Sequence, residues 1–117
     1  MEAFHEKDVQ KRVSSTLRKL GFPVYRNGFR CLRYAIPRFS QDPNQSITKE
    51  LYPYVAERLQ FTGWMAVEKA VREAISAAWK NRDPKKWEEL FPGCEKAPSN
   101  KQLIATLAEL LCERIES

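Results

Sequence analysis

The segment from Ser46 to Trp79 constrains the fold of this chain most, because it reads as two amphipathic helices joined by a short turn. Leu51, Val55 and Leu59 recur at steps of four, which places them on one side of a first helix. After an interrupting glycine, a second apolar set follows at helical spacing: Val67, Ala70, Val71, Ala74, Ile75 and Ala78. The layout predicts a helix-turn-helix over about residues 48–81, whose second helix would enter the major groove of DNA.

The N-terminal part of the chain predicts two further helices. The first is expected from about Lys7 to Leu20, where Gly21 would end it. The second should begin near Asn27, and Pro37 should interrupt it because proline lacks the amide that a helix interior needs. The apolar residues expected to face inward from these helices are Val9, Val13, Leu17, Leu20, Phe29, Leu32 and Ile36.

The third helix, the first of the helix-turn-helix, has two candidate caps and a proline. Ser46 or Thr48 should cap it, since either hydroxyl can accept from the first-turn amides. Pro53 should bend this helix or confine it to a tight first turn. A turn is expected at residues 60–63 before the long fourth helix.

Capping signals also predict a fifth and a sixth helix. Asp83 and Pro84 fit the start of a short helix with Trp87, Leu90 and Phe91 on its apolar side. Ser99 and Gln102 form the capping box of the last helix. Its expected inward residues are Leu103, Ile104, Leu107, Leu110, Leu111 and Ile115. We therefore expect an all-α fold, a single six-helix domain over residues 1–117.

The composition excludes several classes of protein. A chain of 117 residues with 43% hydrophobic content can bury one modest core. No apolar run approaches the roughly 18 residues that a membrane span needs. The three cysteines are odd in number and widely separated, which favours reduced thiols in a cytoplasmic protein over a disulfide framework.

The net charge of +5 is unevenly distributed. Residues 1–45 carry +5 and residues 46–82 carry +2, whereas residues 83–117 carry −2. A polyanion bound on one side and a protein on the other would suit this pattern. Ordinary solubilising charge would explain it equally well.

No set of residues with a pattern typical of catalysis emerges. His5 is the only histidine, and the cysteines lack zinc-ligand spacing. The sequence contains neither a glycine-rich phosphate loop nor a serine nucleophile motif. We expect no enzyme activity, no metal and no cofactor.

The resemblance of this chain to a known family rests on several blocks. SITKELYP followed by VEKAVREAISAAW, LGFPVYRNGFRCLRYAI upstream and KAPSNKQLIATLAELL downstream resemble the C-terminal effector domain of the stage-zero sporulation transcription factor A. Together they cover residues from about Val9 to Leu111. The resemblance implies a DNA-binding response-regulator effector domain that contacts RNA polymerase and its sigma subunit. In that family the domain follows a receiver domain, for which 117 residues leave no room; a stand-alone regulator and a fragment both remain open.

The resemblance assigns the DNA contacts to the fourth helix and to the start of the third. Glu68, Lys69 and Arg72 match the family's Glu-Arg-x-x-Arg, with a lysine in place of an arginine that would grip guanine with two hydrogen bonds. The family's Ser-Arg is Met65-Ala66 here, its histidine is Glu73, and the turn is one residue longer. Thr48 and Lys49 resemble a phosphate clamp.

Alternative interpretations of these residues stay open. Glu68–Arg72 and Lys69–Glu73 are i,i+4 pairs of opposite charge, so the face could be merely solvated. Trp64 and Met65 could pack at the turn or form an exposed contact patch. Arg26, Arg30, Arg33 and Arg38 form a second basic set, with surface solvation as plausible as DNA contact.

The sequence thus predicts a sequence-specific regulator that binds double-stranded DNA, using the helix at 64–81. The alternative is a protein-interaction module that keeps the fold but binds DNA weakly or not at all. No membrane association is expected, and a dimer on DNA is left open.

Overall fold

The computed structural model describes residues 6–112, which form six α-helices. They are α1 (Glu6–Lys19), α2 (Asn27–Gln41), α3 (Tyr52–Leu59), α4 (Trp64–Lys80), α5 (Pro84–Leu90) and α6 (Asn100–Leu111). A π-helical turn, Ile47–Leu51, leads directly into α3, and residues 6–112 contain no strand. The all-α, six-helix prediction with a helix-turn-helix is confirmed. The predictions for His5 and Ile115 lie outside the described residues.

Helix α1 ends where the sequence predicts, at a left-handed residue. Gly21 has φ +88°, a conformation that costs glycine little and other residues more. The amide of Phe22 donates to the carbonyl of Leu17 at 2.9 Å, and that of Gly21 to Arg18 at 3.0 Å. These bonds satisfy the last carbonyls of the helix and turn the chain toward α2.

Helix α2 is the centre of the fold, and Pro37 does not interrupt it as the sequence predicted. It continues to Gln41, with Pro37 buried inside it and α1, α3, α4 and α6 packed around it. Proline removes one hydrogen bond to the carbonyl of Arg33. The burial of Ala35, Ile36 and Phe39 on both sides of the proline offsets that loss, so tertiary packing overrides the local preference.

Gly28 allows α2 to approach α4 closely. A Cβ atom at this position would collide with the carbonyl oxygen of Ala70 and the Cβ of Ala74. Only glycine fits at this separation without movement of a backbone. The outer face of α4 is therefore oriented by a contact on its inner face.

The entry into α3 is wider than the tight turn that we expected. Ser46, one of the two candidate caps, accepts from the amide of Lys49 at 3.1 Å, whereas Thr48 lies within the turn. The amide of Leu51 then donates to the carbonyl of Ser46, five residues back, at 3.0 Å. Pro53 follows in the first turn of α3, where its missing amide is tolerated. Because the wide turn ends before Pro53, the proline falls in the first turn of α3, where a helix does not need its amide.

The C-terminal helices begin as predicted. Asp83 accepts from the amide of Lys85 at 3.0 Å, and Ser99 and Gln102 make both bonds of the capping box. The inward position of Leu110 was wrong, because its side chain is 49% exposed. It lies beside the buried stripe of α6 rather than on it; that stripe comprises Leu103, Ile104, Leu107 and Ala108.

The three cysteines are free thiols. Burial raises the pKa of Cys31 to about 12, so this thiol is neutral and unreactive at ordinary pH. None of the helices within residues 6–112 combines the length and the apolar character needed to cross a membrane.

Candidate nucleic-acid interface

Helix α4 separates a buried face from a charged one. Its buried residues are Val67, Val71, Ala74, Ile75 and Ala78, at helical spacing. Lys69, Arg72 and Glu73 are exposed on the remaining surface, while Glu68 is partly buried. The sequence placed these four charged residues together, and the structure does bring them onto one helix surface.

The charges on α4 do not neutralise one another. Glu68 and Arg72, like Lys69 and Glu73, are spaced to form pairs, yet neither pair comes within 4 Å among the described residues. An exposed i,i+4 pair contributes only about 0.3–0.5 kcal/mol, so little favours closing it. Lys69 and Arg72 therefore face solvent with their hydrogen-bond donors free for a partner.

Met65 and Ala66, two of the predicted site residues, lie in the first turn of α4. Met65 is 66% exposed, whereas Ala66 is partly buried. Gly63 precedes the helix and supplies no side-chain cap to its first amides. The turn itself is closed upstream by Gln60, with φ +61° and the amide of Phe61 bonded to Ala56 at 2.8 Å.

Trp64 packs where the two helices of the motif meet. Its indole stacks on the ring of Tyr52, with centroids 6.4 Å apart and planes 9° from parallel. Tyr52 opens α3 and Trp64 opens α4, so the stack joins the two helix starts. Trp64 nevertheless remains 37% exposed, and the adjacent Met65 makes no such ring contact. Of the two interpretations of this pair, packing applies to Trp64 and exposure to Met65.

Asn100 ties the last helix to the helix-turn-helix, which the sequence analysis did not anticipate. Its Nδ2 donates to the hydroxyl of Tyr52 and to the backbone carbonyl of Glu68, both at 3.1 Å. Burial raises the pKa of the Tyr52 phenol, so the hydroxyl stays neutral and accepts this bond. A side chain that bonds a backbone carbonyl 32 residues away leaves no local pattern to read.

A groove of about 570 Å³ runs between the π-helical turn, α4 and the start of α6. Three of the predicted site residues line it: Thr48, Arg72 and the carboxylate-bearing Glu68. Lys101 lines it too, an exposed cation that the sequence analysis missed. The only feature of the sequence that could have pointed to Lys101 is its position in the first turn of α6, just after the cap. The other five predicted site residues do not line it: Lys49, Met65, Ala66, Lys69 and Glu73.

The second basic set does not extend the surface of α4. Arg38 lies over the ring of Tyr54 at 4.2 Å. Arg33 is five residues beyond Gly28, which turns it about 140° away from the side that meets α4. Arg30 and Arg33 instead line a cleft against α1. Within residues 6–112, no group of three or more histidine, cysteine or carboxylate side chains is placed to hold a metal ion.

Comparison with protein families identifies this arrangement. The family model described as "Sporulation initiation factor Spo0A C terminal" matches residues 13–111. The match begins within α1 and includes the helix-turn-helix, the Gly28 contact and the capping box of α6. That family consists of DNA-binding transcription-factor domains and is not a family of enzymes. The chain belongs to the C-terminal DNA-binding domain family of the sporulation initiation factor Spo0A.

Proposed function

We propose that residues 1–117 act as a single helix-turn-helix domain that binds double-stranded DNA sequence-specifically and regulates transcription. The observation that carries this proposal is the outer face of α4. Lys69 and Arg72 project there, exposed and without an ion pair among the described residues, from the second helix of the motif. In such motifs that helix lies in the major groove.

The two ends of this surface would have different roles. Met65, Ala66, Glu68 and Lys69 lie in the first two turns of α4, the part that reaches base edges in helix-turn-helix proteins. Lysine can donate to the O6 and N7 atoms of guanine, and a carboxylate can accept from cytosine N4. Base reading would therefore centre on the N-terminal half of α4.

Phosphate contacts would flank that reading surface. Thr48 and Arg72 line one groove with Lys101, so three structural elements offer donors to the same stretch of backbone. Lys49 is exposed beside Thr48 and would add a fourth donor. Contacts of this kind fix the register of a protein on the duplex without carrying sequence information.

The preferred site should differ from the family's. Lys69 cannot form the planar two-pronged contact of an arginine, and Ala66 has no polar group with which to hydrogen-bond a base edge. Glu73 is exposed, and its charge would repel a nearby phosphate. We propose that the domain acts in the cytoplasm with RNA polymerase and its sigma subunit, and that it binds DNA as a dimer.

A selection on random duplex DNA, performed at two salt concentrations, tests the proposal. A consensus should emerge, and about four to six phosphate contacts should give a slope of log affinity against log salt of roughly −4 to −5. No measurable duplex binding at low salt would support the interaction-module alternative. The exposed Met65 and the carboxylate of Glu73 are the features that favour that alternative.

A further inference from the structure

A basic cleft between α1 and α2 lies away from the face just described. It has a volume of about 330 Å³ and its lining includes Lys11, Arg18, Arg30 and Arg33, with no carboxylate among the described residues that line it. Lys11 and Arg18 are seven residues apart on α1, two turns along the same face. Arg30 and Arg33 share a face of α2 at a spacing of three. Four cations from two helices thus converge on one concave surface.

The side-chain donors of this cleft have no acceptor in the part of the chain that the structure describes. None of the four cations makes a hydrogen bond or an ion pair within residues 6–112. The Nε of Arg33 is buried and still unpartnered, although a buried guanidinium N–H normally has a partner. Arg18 is held over the ring of Phe29, 6.0 Å from its centroid, which orders one guanidinium at the cleft wall.

Like-charged side chains gathered without a counter-charge repel one another, so the arrangement calls for an external anion. A phosphate group carries about −1 charge as a backbone diester and about −1.5 to −2 as a monoester at neutral pH, so two neighbouring groups would offset roughly two to four of the cations. A carboxylate carries a single charge, so neutralising all four cations with carboxylates would need four separate side chains in the same space. Arginine forks also match phosphate oxygens with paired hydrogen bonds.

We propose that the cleft between α1 and α2 is an anion-binding site for two adjacent phosphate groups. Such groups occur in small diphosphates and along a nucleic-acid backbone, and the chemistry of recognition is the same for both. The site does not depend on α4, because Arg33 points away from the side of α2 that meets α4.

Nuclear magnetic resonance of the arginine Nε–H groups in the whole chain provides the test. Titration with inorganic pyrophosphate at low ionic strength should shift the Nε–H signals of Arg18, Arg30 and Arg33. Pyrophosphate should bind about tenfold or more tightly than orthophosphate, because the second group engages further cations. Titration with a short duplex forms a second arm. Shifts at the cleft with duplex would assign the site to a nucleic-acid backbone, and shifts with pyrophosphate alone would assign it to a small diphosphate.

Two substitutions inside the cleft and one control outside it test the assignment of the site. Arg18→Gln and Arg30→Gln alter exposed side chains and should each weaken pyrophosphate binding about tenfold. Arg58→Gln is the matched control, since Arg58 also stacks over an aromatic ring, that of Tyr34, but outside the cleft. It should leave pyrophosphate binding unchanged.

The results distinguish this site from the proposed DNA-reading face. Lys69→Ala and Arg72→Ala should leave pyrophosphate binding intact, whatever they do to duplex binding. The proposal would be overturned by unshifted cleft signals, by equal loss of binding in Arg58→Gln, or by a glutamate-rich peptide that binds more tightly than pyrophosphate.

Discussion

The inner side of α4 is closely packed against α2, whereas its outer side carries exposed cations that are unpaired within residues 6–112. On the inner side, Gly28 of α2 meets Ala70 and Ala74 so closely that a single added carbon would collide. On the outer side, Lys69 and Arg72 have no ion-pair partner among the described residues, although opposite charges stand one turn away. The chain itself determines the first surface. The donors of the second surface are left to solvent or to a binding partner.

Because of this difference, substitutions on the two sides of α4 should affect different measurements, namely the free energy of unfolding and the affinity for DNA. Substitutions on buried surfaces should alter the free energy of unfolding, because a closely packed interior cannot accommodate a change in side-chain volume without cost. Changes on the outer face should leave unfolding nearly unaffected and alter affinity instead. An outer-face variant that lowers the free energy of unfolding, or a buried variant that changes affinity alone, would show that the two sides are coupled.

The largest expected effect contrasts two leucines of α6. Leu107→Ala should lower the free energy of unfolding by about 2–5 kcal/mol, because Leu107 is fully buried and the change leaves a cavity. Leu110→Ala, three residues on, should cost less than about 1 kcal/mol, because Leu110 is 49% exposed. Urea denaturation measures both. Equal losses would mean that α6 packs in another orientation.

The next effect tests the close approach of α2 and α4. Gly28→Ala should destabilise the fold by about 1–3 kcal/mol, since the new methyl group must displace the backbone at Ala70. Gly63→Ser is the control, because a Cβ there meets nothing within 4 Å and serine is a good N-cap. Thermal unfolding of both variants gives the comparison. A neutral Gly28→Ala would refute the tight junction.

On the outer face, Lys69→Ala should cost about 1–3 kcal/mol of binding free energy on the selected duplex and relax the preference at one base pair. Its unfolding should be unchanged, because Lys69 is exposed. Lys80→Ala, at the far end of α4, is the control and should affect the sequence preference little. Ala66→Arg should act in the opposite direction and tighten binding, as fluorescence anisotropy can measure.

The smallest expected effect concerns Arg72. If Arg72 binds phosphate from its position in the groove beside Thr48, Arg72→Ala should weaken binding to all sequences alike. The slope of log affinity against log salt should become shallower by about one unit. Anisotropy titrations at several salt concentrations measure that slope. A change in base preference without a change in slope would reassign Arg72 to base reading.

Periodicity and capping chemistry predicted most of the fold. Steps of three and four placed Val67, Val71 and Ile75 inward, and both Asp83 and Ser99 act as caps. These signals are local, so a sequence reveals them directly. Pro37 was misjudged because its cost is local whereas the burial that offsets it is supplied by other helices.

The candidate site was less predictable than the fold. Lys69 and Arg72 could be assigned to one surface because they share a helix. Neither the bonds of Asn100 nor the approach of Lys101 to Thr48 and Arg72 could be inferred, because both depend on how α6 meets the helix-turn-helix. Which of these residues contacts DNA remains a prediction for the experiments above.

The double hydrogen bond of Asn100 links the start of α6 directly to both helices of the helix-turn-helix. One amide group holds the carbonyl of Glu68 and the hydroxyl of Tyr52 at the same time. A displacement of the start of α6 would therefore be passed directly to the second turn of α4, because Asn100 bonds the carbonyl of Glu68 there.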